Sequence, residues 1–146
     1  MDDISHVIEK FRQSGKRLTS QRFSVFHLLR DNRNHPSAKD IYHQILNIHP
    51  NTSFTTVYNI LQTLADMGEV TELTIDPTRT RYDPDTREHY HSFCKKCRKI
   101  QDHFPDNGSD LQPGILEDHR GFNLHRINVY YQGICEKCQV PNDFQI

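Results

Sequence analysis

Apolar positions in the first half of the chain recur at helical spacing. Ile4, Val7, Ile8 and Phe11 follow the i, i+3, i+4, i+7 repeat of one helix face, and Gly15 stands where a C-terminal cap is expected. Thr19 is placed to cap a second helix, with Leu18 and Phe23 as a hydrophobic staple; Arg22, Val25, Phe26 and Leu29 continue its stripe to about Leu29 or Asp31. After His35-Pro36, Ser37 caps a third helix with Asp40 in its first turn, Ala38, Ile41, Tyr42, Ile45 and Leu46 facing inward, and Pro50 closing it. Ser53 caps a fourth, with Val57, Ile60, Leu61, Leu64 and Ala65 as the buried stripe and Gly68 as the stop. Val70 to Ile75 and Arg79 to Asp83 then read as two strands around Asp76-Pro77-Thr78, a turn by composition.

Helix three, the short turn from His49 to Thr52 and helix four form a helix-turn-helix, and the two strands make a wing. The outer face of helix four carries Thr55, Thr56, Tyr58, Asn59 and Gln62, hydrogen-bonding side chains suited to base edges and phosphates in a major groove. In isolation such a face is equally an ordinary solvated surface. Charge shifts the balance. The formal net charge is only −1, yet residues 10 to 39 hold eight basic groups, Lys10, Arg12, Lys16, Arg17, Arg22, Arg30, Arg33 and Lys39, against Asp31, a local excess of +7. That is the electrostatic footprint expected where phosphates are neutralised.

Composition bounds the remaining choices. A length of 146 residues suits one ordinary domain or two small ones. With 34% hydrophobic residues and no apolar run near the ~20 needed to cross a bilayer, a membrane span is excluded. Met1-Asp2-Asp3 begins nothing like a secretory signal, so a cytoplasmic location is expected.

Four cysteines and ten histidines point to metal chemistry. In Cys94-Lys95-Lys96-Cys97 and Cys135-Glu136-Lys137-Cys138, two thiolates per turn satisfy tetrahedral Zn(II) and leave no open position, which predicts a structural zinc site. Disulfides are disfavoured by the absence of a secretory signal, and a redox motif normally needs one pair on a βαβ unit. Catalytic zinc lacks its motifs: there is no His-Glu-x-x-His, and Phe93 stands where a nucleoside deaminase has proline. Pro84 and the charged stretch after it suggest a hinge, giving a domain over 1–84, a hinge over 85–88 and a second domain over 89–146. His89-Tyr90-His91 on a strand projects both imidazoles from one face, and a hairpin brings Asp102 beside them.

The chain resembles the ferric uptake regulator (Fur) family of metal-dependent repressors along nearly its whole length. The landmarks are Leu18-Thr19-Ser20-Gln21-Arg22, His35-Pro36-Ser37-Ala38, Thr55-Thr56-Val57-Tyr58-Asn59, Arg81-Tyr82-Asp83, His89-Tyr90-His91 and both cysteine pairs. The resemblance implies an α+β homodimer: an N-terminal winged helix-turn-helix domain, a C-terminal α/β dimerisation domain, structural zinc on Cys94, Cys97, Cys135 and Cys138, and a regulatory metal at the junction. Within the family the chain is most similar to the PerR-type peroxide sensors, whose regulatory ligands match His35, Asp83, His89, His91 and Asp102. Iron-sensing relatives often have Glu at the Asp102 position and His-His-Asp-His in place of Glu88-His89-Tyr90-His91. This donor set suits Fe(II) or Mn(II), and five protein ligands leave a sixth position for peroxide.

By the same resemblance, the expected function is a repressor that releases a palindromic double-stranded DNA operator when His35 or His89 is oxidised, with no enzymatic turnover. An iron- or zinc-responsive repressor of the same family, without peroxide sensing, is the alternative. The expected DNA contacts are Arg17, Thr19, Gln21, Arg22, Thr55, Thr56, Tyr58 and Asn59, with Arg79 or Arg81 on the wing. His6, His27, His43, His49, His103, His119 and His125 are read as surface or packing residues, with an accessory metal site at His125 or His119 with Glu117 as a further option. Two departures stand out: Tyr131-Gln132 as an insertion, and Pro113-Gly114 interrupting the expected dimerisation-domain helix.

Overall fold

The computed structural model describes residues 4–105, 121–123 and 128–139, and the chain divides into two units, Met1–Thr86 and Arg87–Ile146. The first unit contains α1 (Ser5–Gln13), α2 (Ser20–Leu29), α3 (Ala38–Ile45) and α4 (Phe54–Asp66), followed by β1 (Thr71–Leu73) and β2 (Arg81–Asp83). Three helices start at side-chain caps. Thr19 Oγ1 accepts the Arg22 N–H at 3.2 Å, Ser37 Oγ that of Asp40 at 3.3 Å and Ser53 Oγ that of Thr56 at 3.1 Å. At Ser37 the bond is reciprocated, since Asp40 Oδ2 accepts the Ser37 N–H at 2.8 Å and completes a capping box.

Val7 and Phe11 of α1, Val25, Phe26 and Leu29 of α2, Ile41 and Ile45 of α3 and Val57, Ile60, Leu61 and Leu64 of α4 form one core, joined by Val70 and Tyr82. Each such side chain contributes about 1.5–3 kcal/mol on burial, more than one cap, so the packed face dominates the stability of these short helices. Ile8, predicted on the inward face of α1, is 46% exposed. The buried row runs through Val7 and Phe11, four apart, and Ile8 lies one position, about 100°, round the helix.

The wing strands are shorter than the predicted runs. β1 and β2 pair antiparallel with Glu72 opposite Tyr82. Between them the Asp76 carboxylate accepts the N–H and the hydroxyl of Thr78, both at 3.0 Å, and this side-chain turn competes with the ladder.

In the second unit β3 (Tyr90–Cys94), β4 (Ile100–His103) and β5 (Tyr130–Gly133) form a sheet in the order β4-β3-β5. β3 and β4 are antiparallel, with His91 opposite Asp102; β3 and β5 are parallel, with Cys94 opposite Gly133. Tyr131 and Gln132 lie inside β5 in continuous register, so this pair forms part of the ladder. Pro113-Gly114, Glu117, His119 and His125 lie outside the described residues. Among the described residues no helix is long and apolar enough to cross a membrane.

Candidate metal centres and nucleic-acid interface

Each Cys-x-x-Cys motif follows a strand, Cys94 ending β3 and Cys135 lying just beyond β5. Because these strands are parallel, both motifs leave the sheet at the same end, joined by the Lys95 N–H donating to the Gly133 carbonyl at 2.9 Å. The first turn closes through the Arg98 N–H on the Cys94 carbonyl at 2.8 Å, with Arg98 at a left-handed φ of 66°. The second is a 3-10 turn over Glu136–Cys138.

All four thiols are free, and their Sγ atoms lie within 4.8 Å of one another. Cys97 and Cys135 are 3.7 Å apart, close to the roughly 3.8 Å between sulfurs on a tetrahedral zinc with Zn–S of about 2.3 Å. The Cys94 thiol is pulled below its ordinary range by N–H groups of Cys135 and Cys97, at 3.3 and 3.5 Å from its sulfur. Cys138 is pushed up, chiefly by its hydrogen bond with the Cys135 thiol and then by burial. Four sulfurs gathered this closely make the donor set of a tetrahedral zinc, and the charge of a divalent cation would stabilise their thiolates.

On the sheet's His91 face, the His89 and His91 Nε2 atoms stand 3.3 and 3.5 Å from the same Asp102 oxygen, Oδ1. The cross-strand register supplies Asp102, and the two rings lie 4.4 Å apart. His89 Nδ1 is 2.7 Å from the Arg87 carbonyl oxygen. A carbonyl oxygen only accepts, so Nδ1 carries the hydrogen, and Nε2 is the ring nitrogen presented toward Asp102. Two imidazole nitrogens and a carboxylate converging in this way form a donor set that a cation can bridge. Two ligands each about 2.1 Å from one ion lie roughly 3.0 to 4.2 Å apart for angles of 90° to 180°, a window containing both separations.

In the first unit the Tyr82 N–H donates to the Pro36 carbonyl at 2.9 Å and Ser37 bridges to Arg81. These bonds lay the His35–Ser37 segment along β2, so that His35 Nε2 comes 4.0 Å from Asp83 Oδ2, with both side chains buried. That separation exceeds a direct hydrogen bond and fits the same window. His35 has a left-handed φ of 49°, a conformation costing about 1–3 kcal/mol and concentrated at functional sites.

On the expected DNA face, Thr55, Tyr58 and Asn59 are exposed on α4, while Thr56 shares a hydrogen bond with the Ser53 hydroxyl at 2.8 Å. Thr19 serves as a cap, and the Gln21 amide donates to Thr52 Oγ1 at 3.0 Å. The Arg22 guanidinium donates to the Arg17 carbonyl and lies over the Phe11 ring, while the Arg17 side chain is exposed. Among these basic groups Lys10 pairs with Glu69 at 2.5 Å and Arg12 with Glu9 at 2.8 Å, both acids lying outside the window. Arg81 requires correction as a DNA contact. It is buried, with Nε 3.5 Å from the buried Asp76 carboxylate, whereas Arg79 holds the same carboxylate from a side chain 42% exposed. Sequence reasoning missed Asp76, which reads as a turn residue until its burial is known.

The remaining described histidines have local partners. His6 meets Glu69 at 3.1 Å, His49 the Ser24 hydroxyl at 2.9 Å and His103 that of Ser92 at 2.7 Å, while His27 stacks on Phe23 and His43 lies against Tyr42.

Residues 13–132 match the model of the ferric uptake regulator family. The chain is 35% identical to the peroxide operon regulator of Bacillus subtilis strain 168, covering 93% of each protein. It is 34% identical to the peroxide-responsive repressor PerR of Staphylococcus epidermidis, covering 95% of each. Among solved structures, PerR from Streptococcus pyogenes, described for peroxide sensing and gene regulation, is 34% identical over 95% of both chains with a TM-score of 0.54. The Helicobacter pylori ferric uptake regulator, at 24% identity and a TM-score of 0.78, shares the fold over 95% of this chain and 93% of its own.

Proposed function

Because the chain belongs to the ferric uptake regulator family of metal-responsive, DNA-binding transcription regulators, we propose that it is a cytoplasmic, homodimeric repressor that senses hydrogen peroxide. The observation that carries the reading is the convergence of His89 and His91 on one oxygen of Asp102. Asp at position 102 and the similarity to peroxide regulators favour the peroxide-sensing branch.

In this proposal Cys94, Cys97, Cys135 and Cys138 hold a structural zinc that staples β3 to β5. His35 and Asp83 from the first unit, with His89, His91 and Asp102 from the second, are the ligands of one regulatory Fe(II) or Mn(II). Three imidazoles and two carboxylates are borderline-to-hard donors and fit either ion. Ligands drawn from both units couple metal binding to the arrangement of the α4 helices in the dimer, so metal favours the arrangement that fits two half-sites of a palindrome. Fe(II), if bound, would supply the electron that opens the peroxide O–O bond and would recover it from the imidazole, so that overall one peroxide oxygen is added to the ring and the other leaves as water. His35 and His89 are the side chains that take up oxygen, and an oxidised imidazole is a poorer ligand, so the operator is released. The protein is modified once and does not turn over.

Arg17, Arg22, Arg79 and the exposed face of α4 make the DNA contacts in this reading, with Thr19 and Gln21 acting through the local structure they hold. The test compares the Fe(II) and Mn(II) forms after exposure to peroxide, by operator binding and peptide mass. The expected result is loss of DNA binding with added oxygen on His35 or His89 in the Fe(II) form alone. Equal survival of both forms without added oxygen removes peroxide sensing and selects an iron- or zinc-responsive repressor.

A further inference from the structure

His89 has two neighbours that the ligand set does not include. The Phe104 ring stacks on its imidazole with centroids 4.8 Å apart and planes inclined by 24°. The Arg87 guanidinium lies 4.6 Å from the centre of the same Phe104 ring, while the Arg87 carbonyl faces His89 Nδ1 at 2.7 Å. The His89 side chain is only 3% exposed, whereas Phe104 is 39% exposed, so Phe104 forms the solvent-side cover of the imidazole. A stacked ring limits rotation about the last side-chain torsion, and the carbonyl fixes which nitrogen carries hydrogen. The two constraints are independent, and both act to turn Nε2 toward Asp102.

We propose that Phe104, held by Arg87, is a positioning residue for His89: it locks the imidazole with Nε2 presented to the regulatory metal and thereby sets the affinity of that site. The inference rests on the reading of His89 as a metal ligand. Phe104 follows Asp102 by two residues, so one segment supplies both a carboxylate and the cover of the imidazole that faces it. Arg87 contributes through its backbone carbonyl and, separately, through its charge over the ring, a contact stronger where water is excluded.

The test uses the full-length, zinc-loaded protein and titrates Mn(II) into wild type, Phe104→Ala, Phe104→Leu, Phe104→Tyr and His89→Ala. Zinc content and unfolding midpoint are measured on each, and nitrogen-15 NMR reads the His89 tautomer before manganese is added. Phe104→Ala and Phe104→Leu are expected to weaken Mn(II) binding tenfold or more, the range for losing a group that orients a ligand. They are also expected to convert His89 from a single Nδ1–H tautomer to a mixture, and Phe104→Tyr, which keeps the ring, is expected to preserve both. Phe104→Leu retains most of the apolar volume and is the deciding variant if Phe104→Ala does not fold. Weak Mn(II) binding in His89→Ala together with unchanged affinity and tautomer in Phe104→Leu overturns the positioning role while leaving the ligand reading intact. Unchanged Mn(II) binding in His89→Ala overturns the ligand reading, and the inference with it.

Discussion

Asp40 ties a helix start to solution conditions. Burial raises its carboxyl, but hydrogen bonds from the Ser37 N–H and hydroxyl, with Arg79 and Arg81 nearby, outweigh burial and hold it below the ordinary carboxylate range. A carboxyl depressed in the folded state contributes stability above its unfolded pKa of about 3.9, and that contribution is lost as pH falls through the lower folded value. Asp40→Asn is therefore expected to lower stability at neutral pH, with the gap from wild type closing as the solution is acidified through that window. Urea unfolding at a series of pH values checks it, and a gap independent of pH counts against the linkage. Ser37→Ala, which removes the cap itself, is expected to cost about 1 kcal/mol. Thr19, Ser37 and Ser53 were legible as caps because capping is an exchange between residues three apart. The fate of Arg81 was not, since a basic residue on a strand looks the same whether it faces solvent or a buried carboxylate.

At the scale of elements, the proposed function gives the two wing arginines different roles. Arg79→Ala is expected to weaken operator binding and flatten its salt dependence by roughly one unit of slope, the signature of a lost phosphate contact. Arg81→Ala is expected to leave the slope unchanged and instead destabilise the first unit by about 3 kcal/mol, at the low end for breaking a buried ion pair because Thr78 and Arg79 still hold Asp76. Salt titrations of DNA binding and urea unfolding on both variants separate the roles; a flattened slope in Arg81→Ala reverses the assignment. The helix-turn-helix is held in a similar way, with Gln21 on Thr52 and Ser24 on His49 tying α2 to the turn before α4. Helical periodicity located the four helices described in the first unit, but not the length of the wing strands. The side chain of Asp76 competes with the ladder there, a local conflict that alternation of residue types does not record.

For the molecule as a whole, all four cysteines fall in the second unit, while the core of the first is built from helix faces and contains no thiol. Structural zinc binds with about 10–16 kcal/mol of apparent free energy, comparable to the entire stability of a small domain. Cys94→Ser is therefore expected to lose zinc and with it the amide protection of β3 and β5, while α2 and α4 remain protected; hydrogen exchange with metal analysis reads both. Retained zinc and an intact sheet count against the staple. By itself the sequence determined the helices, their caps, the two Cys-x-x-Cys turns and the one-face pairing of His89 with His91, because each depends on periodicity or spacing within a few residues. Only the tertiary structure decided that parallel β3 and β5 bring the two knuckles to one end, that the expected hairpin takes the register placing Asp102 directly opposite His91, that Arg81 is buried and that Phe104 covers His89. Those outcomes depend on strand direction, register and burial, which pack distant segments together and leave no mark on the local order of residues.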